Sequence, residues 1–427
     1  MKSCKVLVLL AATILLAVCF VQPGFSADPV KIGVLGPMSF TQGEGHWNGA
    51  TMAADEINKA GGIKVGDEMR PLEMVKVDTN EFLSIPDATN AIEMAISRHK
   101  VDFLMGGFRT EAVLVMQDIA MDAGKVFIGC GAAHPELCTR VTEDYDRYKY
   151  WFRLTPINST YLGKVDFILL GTVGAIMKKQ LGLETLKVAV VAEKAAWADP
   201  IVAAAQKILP EKMGMEVAGV WRPSPVAKDC SAELSAIQRA GAHIVFTTFS
   251  SSVGLTFAKQ MGELKVPAAA VGINVEAQKS GFWEATNGKG EYALTINTYA
   301  PVKITEDTIP FYKKYRELYD QAPNYTAGTY DATYILKAAI EKTGTLDSKK
   351  LVPVIEKTDM TGAAGRIVFD ESHDVTWGPN YVTSLGTQWQ DGQMECVWPY
   401  HWEGVLYEGS KPYKLAPWVV EHWSKKE

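Results

Sequence analysis

The feature that most constrains this chain is a rhythm. Short runs of aliphatic and β-branched residues alternate with stretches whose apolar residues recur at helical spacing, and the pattern runs through twice. VKIGVLG (30–36) reads as a strand, and in NGATMAADEINKAGGI (48–63) Ala50, Ala53, Ala54 and Ile57 share one helical face before Gly61-Gly62 stops it. LEMVKVDT (72–79), VDFLMGG (101–107) and KVFIGCG (125–131) are further strands, separated by the helices DATNAIEMAISRHK and AVLVMQDIAMDAG. The rhythm pauses at a Tyr-rich segment, 145–150, and at WFRLTPINSTYLG. It then restarts with LKVAVVAE, MEVAGVW, HIVFTTF and VPAAAVGI, again with helices between. Strands alternating with helices imply βαβ crossovers, so an α/β fold of two Rossmann-like lobes with mainly parallel sheets is expected. FYKKYRELYDQ and YDATYILKAAIEKTG are late helices, and the chain beyond Gly365 is Gly-, Trp- and Pro-rich with β character.

The N-terminus carries a different signal. Lys2 and Lys5 precede an almost wholly apolar run, Val6 to Val21, and Gly24-Phe25-Ser26 puts small residues at −3 and −1 of a cut before Ala27. This predicts a secretory signal peptide over residues 1–26. The alternatives are a retained anchor and a lipoprotein cut before Cys19, which bulky Val18 disfavours. No other stretch approaches transmembrane length by this reading, so a soluble mature protein is expected. The formal charge of the 427-residue chain is −6 and falls to −8 when the two lysines leave. An acidic, evenly mixed surface argues against nucleic acid as a partner.

Cleavage also removes Cys4 and Cys19, leaving Cys130, Cys138, Cys230 and Cys396. Cys130 and Cys138 bracket one loop and are the expected disulfide, with buried thiols as the alternative. No CxxC or Cys/His cluster points to zinc. The glycines of G43-E-G45-H-W-N-G49 are spaced one residue too long for a dinucleotide fingerprint. No Walker A, HExxH, GxSxG or EF-hand pattern occurs. No cofactor is expected.

The segments VKIGVLGPMS, the NGA and DEINKAGGI parts of the first helix, Asp78-Thr79-Asn80, Pro86-Asp87-Ala88, FLMGGFRTEA, GCGAAHPEL, KDCSAELSAIQRAGAHIVF and TAGTYDATYIL form a set. Together they resemble the periplasmic binding-protein type I fold, in its branched-chain amino acid (Leu/Ile/Val) transport branch. The resemblance spans nearly the whole mature chain. It implies two lobes joined by three hinge crossings: 27–155 with 296–366, and 156–295 with 367–427. A small solute would be clamped between them, in the periplasm, for delivery to the membrane permease of an ABC importer. The protein is expected to act as a monomer.

The resemblance also implies a site. Thr110 aligns with a serine that bonds the ligand carboxylate, its alternative role being a plain N-cap. Arg109 could grip a carboxylate or pair with Glu111. Gly131, Ala132 and Ala133 occupy the loop that receives the α-amino group, but Ala133 lacks the family's hydroxyl. Trp197 aligns with a tyrosine that closes over the ligand, Phe249 with an aromatic wall, and Asn274 with a glutamate that pairs the ammonium. Gln42 is a further candidate. Without that hydroxyl and carboxylate, an aromatic or aliphatic carboxylate, or an amide, rivals an amino acid as the solute unless Glu111 substitutes. A ligand-sensing subunit and a secreted enzyme are the competing functions. The aromatic C-terminal tail is expected to pack along its own lobe, the alternative being an exposed partner patch.

Overall fold

The computed structural model describes residues 28–378, 380–402 and 405–424, so the expected signal peptide lies outside the described residues. The first run of strands is β1 (Val30–Gly36), β2 (Leu72–Asp78), β3 (Phe103–Gly106), β4 (Phe127–Gly129) and β5 (Trp151–Arg153). They form one parallel sheet in the order β2-β1-β3-β4-β5. The second run is β6 (Leu186–Ala192), β7 (Met215–Trp221), β8 (Ile244–Phe249) and β9 (Ala269–Asn274), a parallel sheet in the order β9-β8-β6-β7. Central strands β3 and β8 are buried throughout, as expected for parallel strands covered by helices on both faces. The fold class read from the rhythm is the one observed.

Three later strands, β10 (Leu294–Asn297), β11 (Asp359–Gly362) and β12 (Gly365–Val368), precede an antiparallel pair, β13 (Leu385–Gln390) and β14 (Gln393–Trp398). Strand β10 pairs with β13 beside the second lobe, where Thr295 Oγ1 bonds both the N–H and the carbonyl of Asn274. The helices Thr308–Tyr319 and Thr329–Thr343 return to pack on the first lobe's opening helix. The segment after β12 stays there too, because Asp374 ion-pairs with buried Arg153 at the end of β5. Residues 369–375 thus lie against the first sheet, with Asp374 bridged to Arg153 and Val375 to Phe369.

Two local expectations change. The first helix is Thr41–Lys59, beginning seven residues before its apolar pattern does. Its glycines are a packing stripe: a Cβ on Gly49 would stand 2.5 Å from Ala327 O, and one on Gly45 would collide with Thr326 Oγ1. In addition, helix Ser159–Leu181 (23 residues, mean hydropathy 1.3) is long and apolar enough to cross a membrane, which the sequence reading did not expect. It packs instead on the second sheet, where Phe167 stacks on Phe246 at 5.6 Å. The tail helix, Pro417–Ser424, lies along the second lobe, with Trp418 and Trp423 donating to the carbonyls of Val266 and Pro267.

Candidate ligand-binding cleft

In each lobe the first strand lies between strands that the chain reaches in opposite directions, β1 between β2 and β3, β6 between β7 and β8. Loops leaving the carboxyl ends of such strands part and open a crevice. Loops from both sheets line one cavity of about 330 Å³, within the range of small-molecule sites.

On the first lobe, Gly106 and Gly107 take φ of 96° and 75°, where a side chain is strained. A Cβ on Gly106 would also strike Leu35 O. The turn delivers Phe108 and Arg109, whose N–H groups donate to buried Glu81 at 3.1 and 2.6 Å. The Thr79 hydroxyl donates to the same carboxylate at 2.8 Å. Burial pushes the Glu81 pKa up to about 7, against the pull of these bonds. A carboxylate of the protein itself thus sits just before helix Thr110–Asp122, where the macrodipole favours an anion.

Thr110 is buried at the cavity. Arg109 and Glu111 also line it but face each other, Nε to Oε2 at 3.2 Å, and Arg109 Nη1 reaches Phe82 O at 3.4 Å. The other Glu111 oxygen accepts Ala196 N from the opposite lobe at 3.4 Å.

The loop after β4 is held without a disulfide. Cys130 and Cys138 are buried free thiols, so the expected bridge is absent. Cys130 Sγ turns back to Ile128 O, while Cys138 is carried on the helix Glu136–Glu143. Hydrogen bonds do the fastening: Arg153 to His134 O at 2.8 Å, Ser159 N to Ala133 O at 2.8 Å, and Gln117 to Leu137 O at 2.7 Å. Burial lowers the pKa of His46 to about 4, and the neutral ring donates from Nε2 to Cys130 O at 3.0 Å. The smallness of Gly131 has a local cause. A Cβ there would come within 2.9 Å of Phe108 Cα, so it is the neighbouring loop that needs the space. Gly131 and Ala133 line the cavity, whereas Ala132 is buried away from it.

On the second lobe, Glu193 directly follows β6 and is fully buried. It accepts from Trp197 Nε1 at 3.1 Å, from Ser251 N at 3.0 Å and from the Ser250 hydroxyl. Its pKa is raised, burial outweighing these bonds. Trp197, held in this way, lines the cavity. Gln42, from the first lobe, donates Nε2 to Ser250 O across the cleft at 3.1 Å.

Besides Ala132, two expected residues lie elsewhere. Phe249 is the last residue of β8, fully buried against Phe257 behind the sheet. Asn274 ends β9 and donates to Gly254 O at 3.0 Å, away from the cavity. The cavity is instead lined by Ser250–Ser252 after the first of these strands, and by Ile273, Val275, Glu276 and Gln278 around the end of the second. Glu276 there puts a carboxylate at the cavity wall, where Lys279 holds both its oxygens at 2.8 Å. Also unforeseen is an aromatic wall in which Phe40, Phe82, Phe108 and Tyr325 follow one another at centroid distances of 4.7, 5.3 and 6.2 Å. Among the described residues no group of three or more His, Cys, Asp or Glu could hold a metal ion.

Comparison with known proteins agrees with this architecture. A Brucella abortus protein named as a Leu/Ile/Val-binding protein homolog is 24% identical over 406 residues, covering 90% of this chain and 96% of its own. The crystal structure of a putative branched-chain amino acid ABC transporter protein from Silicibacter pomeroyi superposes with a TM-score of 0.74 at 19% identity, covering 92% of this chain and all of that one. A solute-binding protein of an ABC transporter from R. palustris, in complex with benzoate, gives 0.69 at 20% identity over 86% and 95%. The profile of the periplasmic binding protein family matches residues 29–392, and the chain belongs to that family.

Proposed function

We propose that this protein is the extracytoplasmic solute-binding component of an ABC importer, exported by its N-terminal signal to the periplasm. It captures a small organic solute between its lobes and presents it to a membrane permease. The observation that carries this reading is a single apolar-walled cavity to which both lobes contribute, Phe108 and Tyr325 from one side and Trp197 and Ile273 from the other. A solute touching both sides favours the closed arrangement in proportion to its preference for it, which is how hinge closure is driven. Gln42, Thr110, Gly131, Ala133, Trp197 and Glu276 are the proposed contacts, with Arg109 and Glu111 as a lining ion pair.

The solute class spans a branched-chain amino acid and a related carboxylate or amide. The Brucella abortus relative's name supports the first and the benzoate complex the second. The test is a thermal-shift and tryptophan-fluorescence titration of the mature chain with leucine, isoleucine, valine, benzoate and 4-methylpentanoate, each paired with its amide. A saturable rise in Tm with a change in tryptophan emission is expected for at least one. A flat response to the whole panel would count against the reading.

A further inference from the structure

We infer that the cleft takes a solute whose apolar body is longer than a branched-chain side chain or a single ring. This body, an alkyl or arylalkyl chain, runs from the buried end of the aromatic wall to an apolar rim at the mouth of the cavity. The inference rests on the solute-binding reading above and narrows its substrate class.

Both lobes build the rim. Phe40 follows β1, Leu83 follows β2, and Pro225 and Val226 follow β7, and all four line the cavity. The chain passes between the lobes after β5, after β10 and before β13. Strand β10 lies beside β9 and pairs with β13. Edge strands β2 and β7 are opposite β5 and β9 in their sheets, so the loops that follow them stand away from these connections. Exposure marks that side as the open one: Leu83 is 72% exposed, Val226 63% and Phe40 37%. A solitary exposed apolar residue is ordinary, but several around one cavity mouth make a binding surface.

The rim continues the aromatic wall inward. Phe40 packs on Phe82, Phe82 on Phe108 and Phe108 on Tyr325, and exposure falls along the series from Phe40 through half-buried Phe82 to buried Phe108 and Tyr325. The space beside this wall exceeds what a short solute fills. A cavity of about 150 Å³ holds one benzene ring, whereas this one has about 330 Å³. A solute no longer than leucine leaves either the inner rings or the rim in water. A longer chain covers both, and its apolar contacts grow with every methylene.

Isothermal titration calorimetry of the mature protein tests this with a long and a short member of three head-group classes: octanoate against butanoate, octanamide against butanamide, and 2-aminooctanoate against leucine. A fully buried methylene is worth roughly fourfold in affinity. The longer member is therefore expected to bind at least fivefold more tightly in whichever class binds, at one molecule per chain. Leu83→Ser and Val226→Ser should each weaken the longer member about threefold and leave the shorter one unchanged; both residues are exposed, so folding is not at stake. Equal or tighter binding of the shorter members overturns the inference while leaving the solute-binding reading intact. Rim variants that weaken both members alike, or neither, overturn it too, the second result leaving the rim for a contact with another protein. More than one octanoate per chain marks general adsorption to apolar surface and also overturns it. No binding of any member overturns it as well, and the wider panel above then decides the solute-binding reading separately.

Discussion

In the first lobe a buried carboxylate, Glu81, receives the backbone N–H groups of the loop it supports, whereas in the second a buried carboxylate, Glu193, receives mainly side chains. The two residues occupy equivalent crevices of similar sheets, so the contrast is one of what is being held. Backbone held by Glu81, and backed by the Arg153–Asp374 pair, fixes the path of a loop whatever its side chains do. Side chains held by Glu193 place Trp197 and Ser250 but leave them releasable by a change of rotamer. The first face is a template and the second is the jaw that adapts to it.

The largest effect should come from removing the support of the template. Arg153→Met leaves Asp374 charged and uncompensated in the interior and frees His134 O, so a loss of about 3–5 kcal/mol is expected by urea denaturation. Next is Glu81→Ala, which strands the N–H groups of Phe108 and Arg109 and should cost about 2–4 kcal/mol. Glu81 also gives the lobe a pH dependence. Its folded pKa of about 7 lies above the ordinary 4.5, so its stabilising contribution is complete below pH 4.5 and is lost as the pH rises through 7. Thermal unfolding of Glu81→Gln against wild type between pH 4.5 and 7.5 should show this component removed, roughly 3 kcal/mol in all.

The jaw should respond in the opposite proportion. Glu193→Gln is expected to change stability by less than about 1 kcal/mol yet weaken solute binding about tenfold, or about 1.4 kcal/mol, because Trp197 and Ser250 lose their charged acceptor. Calorimetry and thermal melts on Glu81→Gln and Glu193→Gln would erase the distinction if their ratios of affinity loss to stability loss were equal. The smallest change carries the reverse sign. Asp166, in helix Ser159–Leu181, is buried with neither carboxyl oxygen partnered, and burial alone raises its pKa well above the carboxylate range. Asp166→Leu should stabilise by about 1 kcal/mol, read as a higher Tm at pH 7.5 than wild type.

The sequence carried the strands and their parallel pairing in its alternation of periods, since burial on both faces leaves continuous apolar runs such as VKIGVLG and HIVFTTF. It misplaced the start of the first helix because Gly43 and Gly45 read as loop residues, whereas Gly43 leaves room for the turn at Pro37–Met38 and Gly45, like Gly49 farther along, lets segment 325–329 approach. Thr110, Gly131, Ala133, Trp197 and Gln42 reach the cleft because they lie in loops or at helix starts. Phe249 and Asn274 do not, because their side chains turn to Phe257 and to Gly254 O. The supports were beyond reach for another reason: Arg153 and Asp374 are 221 residues apart, and no local pattern marks such a pair. Nor does any spacing mark Glu81 or Glu193 as buried.

Two bonds described above are made by the protein to itself across the cleft, Gln42 to Ser250 and Ala196 to Glu111. At about 1 kcal/mol each, each multiplies the shut population about fivefold before any solute arrives. A vacant protein therefore spends part of its time sealed, and an arriving solute meets only the remaining fraction as a receptive target. The same bonds lengthen the residence of a solute once it is inside. Slow capture and slow loss then come as a pair, because the same two bonds set both.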